Sequence, residues 1–165
     1  MKRNAKTVFL CQGAIIAALY FVLTYAINAF GLGSGAIQVR VSEMLCILPI
    51  FTPAAIPGLY LGCLISNLLT PDVVALDIIV GPIATLIGAL GTYLLRKYPI
   101  VATLPPVAAN ALIVPFVLAY GYGIEETIPF MMLTVGVGEV ISVSVLGMVL
   151  YFSLKKHANR IFKIN

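Results

Sequence analysis

A carboxylate lies within an apolar run of membrane-like composition near the C-terminus. This residue is Glu139, in the segment TVGVGEVISVSVL at positions 134–146. A charged side chain near the centre of a membrane-spanning helix costs roughly 2.5 to 3.5 kcal/mol, so such a residue faces a protein interior or a wet cavity. Gly136 and Gly138 lack side chains and allow another backbone or a flat ligand to come close. We therefore predict that the other helices surround Glu139 and that it binds a ligand.

A carboxylate accepts two parallel hydrogen bonds. This suits the edge of a small molecule with two adjacent donors, such as an amidine or guanine. The alternative role for Glu139 is structural, as a polar clamp between helices. The sequence offers few partners for such a clamp, because no cationic residue occurs in the inner half of the predicted helices.

The sequence lacks the motifs of several other chemistries. The one histidine, His157, lies in the C-terminal tail, and neither H-E-x-x-H nor C-x-x-C occurs, so we expect no metal site and no cofactor. No base accompanies a serine in the apolar runs, so serine catalysis is not predicted. No predicted loop exceeds about a dozen residues, and the G-V-G before Glu139 lacks the lysine of a phosphate-binding loop. If the protein drives uptake, a partner must supply the energy.

Composition places the chain in a membrane. Of its 165 residues, 61% are hydrophobic and 10% are charged, and the mean hydropathy is +1.09. Soluble globular domains carry about 25% charged residues. A hydrocarbon core about 30 Å thick requires long apolar runs, and here such runs follow one another. We therefore predict a single integral membrane domain over residues 1–165.

Six apolar runs predict six transmembrane helices in an all-α bundle. We place them at residues 7–29, 39–50, 54–69, 75–95, 106–120 and 128–154. The second run is short for a span, and the prolines at its end leave its boundaries the least defined. Cys11, Cys46 and Cys63 all fall within these runs, so we interpret them as small core residues and expect no disulfide.

The basic residues determine the predicted orientation. Six spans put both termini on one side, which is the cytoplasm by the positive-inside rule. The protein is then a multi-pass protein of the plasma membrane, with Asp72, Glu125 and Glu126 in outer loops. Nine of the ten basic residues fall on the inner side: Lys2, Arg3, Lys6, Arg96, Lys97, Lys155, Lys156, Arg160 and Lys163.

The exception is Arg40, which lies with other polar side chains near the predicted outer face. Together with two polar residues at mid-membrane depth, they predict a polar pocket that opens to the exterior above an apolar floor. The candidate ligand-binding residues are Gln38, Arg40, Glu43, Asn67, Asp77, Asn110, Tyr120 and Glu139.

These polar residues also have structural interpretations. Arg40 and Glu43 are three positions apart and could pair on a helix. Asn67 and Asn110 could form interhelical hydrogen bonds worth roughly 0.6 kcal/mol each. For Asp77, a capping role at the start of its helix is the favoured interpretation.

Two further features concern surfaces. Ala14 and Ala18 form a small-x-x-x-small pattern on the first span, which allows a helix to approach closely. This helix could belong to a partner or to the same chain, and the sequence leaves both open. Tyr120 and Tyr122 are typical of the aromatic belt at a membrane interface, but they also lie at the outer rim, where a lid would be.

Five further motifs follow one another along the chain. They are IQVRVSEML at 37–45, LPIFTPAAIPGL at 48–59, LDIIVGPIATL at 76–86, PPVAANALIV at 105–114 and VGVGEVIS at 135–142. In this order they resemble the QueT family of proposed queuosine-precursor transporters. The likeness extends over about residues 37–156, while the first span is generic.

The resemblance implies a substrate-binding subunit, or S-component, of an energy-coupling factor (ECF) transporter. Such a six-helix subunit captures a vitamin-like solute from outside, here a queuosine precursor such as a deazaguanine base or queuine. It docks through small residues of its first helix onto a transmembrane coupling subunit that carries two cytoplasmic ATPases. The implied partner surface in this sequence contains Ala14 and Ala18.

Two other functions compete with this one. A stand-alone permease could use Glu139 or Asp77 as a proton relay, although we find no inverted repeat between the two halves of the sequence. A non-catalytic membrane assembly protein is the second, and co-purification without any small molecule would favour it.

Overall fold

Every regular element that the structure describes is a helix. The structure is a computed structural model, and it describes residues 4–29, 40–71 and 73–162. Within these ranges, 3₁₀ helices occur at Val41–Ile50 and Val101–Thr103, and a π helix occurs at Val140–Leu146. The α-helices are α1 (Ala5–Ala29), α2 (Ala55–Leu69), α3 (Ala75–Leu94), α4 (Leu104–Tyr120), α5 (Ile128–Glu139), α6 (Gly147–Lys155) and α7 (Ala158–Ile161).

The predicted all-α membrane bundle is confirmed. In the described part of the chain, four helices are long and apolar enough to cross a membrane: Ala5–Ala29, Ala75–Leu94, Val101–Tyr120 and Ile128–Lys155. The last of them combines α5, the π helix and α6. The second and third predicted spans are the shorter apolar helices Val41–Ile50 and Ala55–Leu69.

The second predicted span differs most from a regular transmembrane helix. A 3₁₀ helix rises about 2 Å per residue, so its ten residues cover only about 20 Å of a hydrocarbon core about 30 Å thick. Its side chains from Leu45 to Pro49 are all buried, and it packs against α1, α3, the π helix and α6. Apart from Ser42 and Glu43 this helix is apolar on all sides, which is typical of a helix inside a protein, and it forms the centre of the bundle.

Glycines allow α1 and α2 to cross at close range. A Cβ atom on Gly58 would lie 2.7 Å from the Gly13 carbonyl oxygen, and one on Gly62 would lie 2.7 Å from the Tyr20 Cβ. Gly58 and Gly62 are four residues apart and therefore face the same side of α2, as in other small-x-x-x-small interfaces. This crossing fixes Tyr20, whose side chain is fully buried in the core.

Glycines also allow α3 and α4 to approach closely. A Cβ atom on Gly88 would lie 2.7 Å from the Cα of Pro106, and one on Gly91 would lie 2.3 Å from the Cβ of Pro105. The two prolines occupy the first turn of α4, where a missing backbone N–H costs no helix hydrogen bond. Proline rings therefore fill the space that the two glycines leave open.

Two of the three cysteines are core residues, as predicted. Cys46 and Cys63 are buried, and both belong to the main hydrophobic cluster. Cys11 is exposed on α1, so the prediction that it is a core residue is wrong. The face of α1 that contains Gly13 packs against α2, and Cys11 lies outside that face. All three thiols are free.

The start of α1 and the end of the described chain, after α7, lie at the same end of the bundle. The Gln12 amide, near the start of α1, lies 3.4 Å from the Ile161 carbonyl oxygen and 3.5 Å from that of Phe162. The Phe162 ring also stacks on Phe51, with 5.5 Å between the centroids. We call this the inner end, and the opposite end, at Asp77, the outer end. This placement is the one that an even number of passes requires, and the cytoplasmic assignment of the inner end stays a prediction. Lys2, Arg3, Asp72 and Lys163 lie outside the described residues.

The tight α1–α2 crossing leads to a first prediction. Replacing Gly62 by Ala places a methyl group against the Tyr20 Cβ and the Ala17 backbone. Overpacking of this kind typically costs about 1 to 3 kcal/mol, so we expect Gly62→Ala to lower the melting temperature of the purified protein in detergent. Gly136→Ala is the matched control, because its Cβ would lie 3.6 Å from the Ala111 Cβ, an ordinary contact. Equal melting temperatures for the two variants would contradict the assignment of this crossing.

Candidate functional site

A cavity of about 560 Å³ opens at the outer end of the bundle. Cavities that bind small molecules usually have volumes of about 300 to 1,000 Å³. Helices α1 to α4, the start of the 3₁₀ helix Val41–Ile50 and the loop after α4 all contribute to its wall. Its lining residues are Thr24, Ile27, Asn28, Arg40, Val41, Ser42, Asn67, Thr70, Pro71, Val73, Asp77, Val114, Val117, Leu118, Tyr122 and Ile124. The polar pocket predicted near the outer face therefore corresponds to a real concavity.

Asn67, Asp77 and Tyr122 are joined at the mouth of this cavity. The Asn67 side-chain amide donates to the Asp77 backbone carbonyl at 2.9 Å, and this bond links α2 to α3. The Tyr122 hydroxyl donates to Asp77 Oδ2 at 3.1 Å. Burial, and to a smaller extent the Asp77 carboxylate, raises the pKa of Tyr122 to about 12. This hydroxyl therefore keeps its proton at neutral pH. Asn67 thus forms the predicted interhelical bond and also faces the cavity.

The interpretation of Asp77 as a helix cap is wrong. The N-cap of α3 is Val74, and no side chain caps this helix. Asp77 lies three positions further on, so its carboxylate projects from the first turn towards the cavity instead of back to the free amides. Its Oδ1 atom is buried and has no hydrogen-bond partner among residues 4–29, 40–71 and 73–162.

Arg40 and Glu43 have different surroundings despite their close spacing. Arg40 lines the cavity, whereas Glu43 is fully buried beneath it. The Glu43 carboxylate accepts hydrogen bonds from the Tyr20 hydroxyl, from the Cys46 thiol at 2.9 Å and from the Thr85 hydroxyl at 3.4 Å. The suggested Arg40–Glu43 pair is therefore replaced by contacts of Glu43 with α1, α3 and its own 3₁₀ helix. A ligand contact of Glu43 stays a prediction.

Glu139 and Asn110 form the deepest polar group of the site. Each side chain is only 1% exposed. The amide nitrogen and oxygen of Asn110 and the Oε2 atom of Glu139 are buried and have no hydrogen-bond partner within the described part of the chain. Glu139 Oε2 has no hydrogen-bond partner among the described residues, whereas the Asn110 amide and the Glu139 carboxylate lie close enough to act on each other. A clamp between α4 and α5 and a ligand contact therefore both stay predictions for this pair.

These two residues do not line the cavity, but they lie just below it. Val114 and Val117 line its apolar wall. Asn110 is four residues before Val114, on the same face of α4 and about 6 Å further along the helix axis. Asn110 thus lies about one helical turn below the cavity wall at Val114.

Glu139 also marks a change of helix type. It is the last residue of α5, and the π helix Val140–Leu146 follows directly. The Ser142 hydroxyl donates to the Gly138 carbonyl at 2.9 Å, at this junction. Short π segments within α-helices occur frequently at functional sites, and this one lies immediately beside the buried carboxylate.

Four predicted site residues remain to be placed. Tyr120 is 75% exposed and stacks on Phe116, with 6.4 Å between the ring centroids, so it faces away from the cavity. Gln38 lies outside the described residues. Ala14 and Ala18 are exposed on α1, so the alternative that they pack within the same chain is wrong. The neighbouring face of α1, with Gly13 and Ala17, makes that contact instead.

Sequence reasoning missed several residues of the site. Thr24 and Asn28 line the cavity from α1; their spacing of four within an apolar span was a usable signal. Tyr122 lines the cavity instead of Tyr120, and neither residue type nor hydropathy distinguishes the two. The partner of Glu43, Tyr20, had no signal, because a tyrosine within a span is as common at an interface as in a core.

The described residues contain no group of three or more His, Cys, Asp or Glu side chains that could hold a metal ion. What the site offers is a set of hydrogen-bonding groups with unused capacity around and below an open cavity. Fold and site together define a multi-pass helical membrane protein with a cavity of the size that takes up a small polar molecule.

The chain belongs to the QueT transporter family, whose model matches residues 10–156. Over 97 residues it is 38% identical to the queuosine precursor transporter QueT of Lactococcus lactis subsp. cremoris (strain MG1363). This match covers 58% of the chain and 56% of that protein, so it spans little more than half the length of the relative. No solved structure matches the chain significantly.

The surroundings of Glu43 lead to a second prediction. Tyr20→Phe removes a hydroxyl donor from a carboxylate that is fully buried, and an unsatisfied buried group costs about 1 to 3 kcal/mol. We expect a lower melting temperature in detergent. Tyr25→Phe makes the same change on the same helix, where the tyrosine is 58% exposed, and it should have no such effect. If both variants have the melting temperature of the parent protein, the hydrogen bond from Tyr20 to Glu43 does not stabilise the fold.

Proposed function

We propose that this protein is the solute-binding S-component of an ECF importer and that it captures a queuosine precursor, a deazaguanine base or queuine, from the outer side of the plasma membrane. Membership of the QueT transporter family and the name of the Lactococcus relative support the choice of solute. The observation that carries the proposal is the pair Glu139 and Asn110, buried with unused hydrogen-bonding atoms, with Asn110 about one helical turn below a cavity of solute size.

A deazaguanine base complements this pair. Its Watson–Crick edge presents a ring N–H and an exocyclic amine side by side, and a carboxylate accepts both. The adjacent carbonyl of the base needs a donor, which the free amide of Asn110 supplies. Protein groups that are buried without partners gain most from a ligand that satisfies them, because their desolvation is already complete.

The apolar side chains of α4 that line the cavity give the base its binding position. Val114 and Val117 provide surface for the flat face of the ring, and Gly136 and Gly138 keep the facing helix α5 thin beside Glu139. The base enters from the outer end, and its edge reaches Glu139 when the cavity extends inward past Val114. Closure of the apolar side chains over the base would then exclude water from the hydrogen bonds.

Transport itself requires a partner. In the proposed assembly, a transmembrane coupling subunit and two cytoplasmic ATPases supply the energy. The exposed face of α1 supports this part of the proposal, because Ala14 and Ala18 form a smooth stripe that the chain's own packing leaves uncovered. Small residues of this kind allow two helices in a membrane to approach closely.

The binding role of Glu139 is tested by Glu139→Gln. This variant keeps the shape of the side chain but replaces one acceptor oxygen by a donor that faces the donors of the base. Loss of one partner of a buried charged hydrogen bond costs about 2 to 5 kcal/mol, or roughly thirtyfold to several thousandfold in affinity. Titration calorimetry with a deazaguanine base in detergent measures the effect.

Glu126→Gln is the matched control, because Glu126 is exposed in the loop after α4. It should bind like the parent protein. A Glu139→Gln protein that melts normally and binds the base at full affinity would remove this carboxylate from the site. Uptake by the parent chain alone in proteoliposomes, abolished by an uncoupler, would replace the S-component proposal by a proton-coupled permease.

The docking role of α1 is tested by Ala14→Leu combined with Ala18→Leu. The two larger side chains fill the space that a partner helix would enter, so co-purification with the coupling subunit should fall at least tenfold, a loss of about 1.4 kcal/mol, while binding of the base is unchanged. Ala108→Leu, at an exposed position of α4, is the control and should leave assembly intact. Normal assembly of the double variant would place the partner on another face.

A further inference from the structure

One series of buried side chains in the last membrane span has a spacing of four. Its members are Met131, Val135, Glu139, Val143, Gly147 and Tyr151. An α-helix turns about 100° per residue, so each step of four residues exceeds a full turn by about 40°, and five such steps add up to about 200°. In a regular α-helix, the two ends of this series would therefore face nearly opposite sides. A change of register is needed to keep both ends inside the bundle.

The π helix Val140–Leu146 supplies this change of register. Its hydrogen bonds span five residues instead of four, and the Gly147 amide donates such a bond to the Ser142 carbonyl oxygen. A short π segment adds one residue to the register of an α-helix and so takes back about 100° of rotation. Without it, a helix fixed at Gly147 would turn Glu139 about 100° away from its present direction.

The α6 end of this span is fixed by close packing. A Cβ atom on Gly147 would lie 3.3 Å from the Met44 carbonyl oxygen. The Tyr151 ring stacks on Phe51, with 5.3 Å between the centroids. Met44 belongs to the central 3₁₀ helix Val41–Ile50, and Phe51 follows it directly. Because this end is anchored, the π helix determines the direction in which Glu139 points.

Two serine hydroxyls form hydrogen bonds within the π helix or from it. Ser142 is fully buried, and its hydroxyl donates to the Gly138 carbonyl oxygen at 2.9 Å. A side-chain bond to the carbonyl four positions back destabilises and often bends an α-helix, so Ser142 favours a departure from α geometry. The Ser144 hydroxyl donates to Thr103 Oγ1 at 3.0 Å, because the Thr103 hydroxyl itself donates to the Ile100 carbonyl.

The Ser144 bond also relates Glu139 to Asn110. Thr103 is the N-cap residue of α4, and Asn110 follows seven positions later, about two turns along the same face of this helix. The hydrogen bond between Ser144 and Thr103 therefore holds the π helix against the helix that contains Asn110. It fixes the relative register of the two side chains that have unused hydrogen-bonding atoms.

We propose that the π helix aims the Glu139 carboxylate at the donor edge of the base, and that Ser142 and Ser144 are the positioning residues that hold it in register. This inference rests on the proposed function, since it concerns the same carboxylate, and adds the element that orients it. Neither serine lines the cavity, so both act through Glu139. Two parallel hydrogen bonds to one carboxylate demand a defined orientation, and a rotation of the helix would break one of them.

Two bases that differ by one donor test this role. 7-Deazaguanine presents a ring N–H and an exocyclic amine, whereas the same ring system without the amine presents the N–H alone. We expect the parent protein to bind 7-deazaguanine roughly ten- to a hundredfold more tightly, the range for one hydrogen bond to a charged group. Ser142→Ala should bring this ratio close to one by weakening the binding of 7-deazaguanine. Titration calorimetry in detergent gives the affinities.

Ser153→Ala is the matched control, because the Ser153 hydroxyl makes the same type of bond, to the Val149 carbonyl at 2.9 Å, at an exposed position of α6. It should keep the ratio of the parent protein. Ser144→Ala provides a second test through the bond to Thr103, and it applies even if Ser142→Ala does not yield folded protein. It should also lower the ratio.

A ratio equal to that of the parent protein in the serine variants would overturn the inference and leave the proposed function intact. An equal loss of affinity for both bases would also overturn it, because a merely structural role of the serines would not distinguish the two ligands. A parent protein that binds both bases equally well, or binds neither, would instead reject the proposed role of Glu139, and this inference with it.

Discussion

The bundle depends on how it accommodates carboxylates away from water. A buried carboxylate needs donors from the protein itself, since lipid supplies none. Glu43 obtains them from Tyr20, Cys46 and Thr85, on three different elements. This arrangement requires the central 3₁₀ helix to lie against both α1 and α3, and the glycine crossing of α1 and α2 brings Tyr20 close enough. The packing of these helices and the hydrogen bonds of the buried Glu43 carboxylate therefore depend on each other.

Against this background, the unsatisfied groups are informative. The described residues that satisfy Glu43 leave one acceptor each of Asp77 and Glu139, and the whole Asn110 amide, without partners. Buried polar atoms of this kind are costly, so they are expected where a ligand completes them. They lie at two levels, with Asp77 at the mouth of the cavity and Asn110 about one helical turn below its wall.

Helix α1 has two adjacent faces with different roles. Gly13, Ala17 and Tyr20 face α2 and the core, whereas Ala14 and Ala18 remain exposed. Further along the same helix, Thr24 and Asn28 line the cavity. The element proposed to contact a partner is therefore also part of the ligand site. In the proposed importer, this gives a short physical connection between docking and release of the solute.

The sequence by itself determined the membrane class, the order of the helices and most of their ends, because apolar length and prolines act locally. The prediction of 128–154 for the last span, against Ile128–Lys155 in the structure, is an example. It also singled out Glu139 and Asn110, since a polar group in an apolar run is visible without a fold. Only the tertiary structure decided that Tyr122 lines the cavity while Tyr120 does not, that Asp77 turns away from its helix end, and that Glu43 is satisfied while Glu139 is not. Those outcomes depend on which side chains from distant parts of the chain meet, and hydropathy along the sequence carries no information about such meetings.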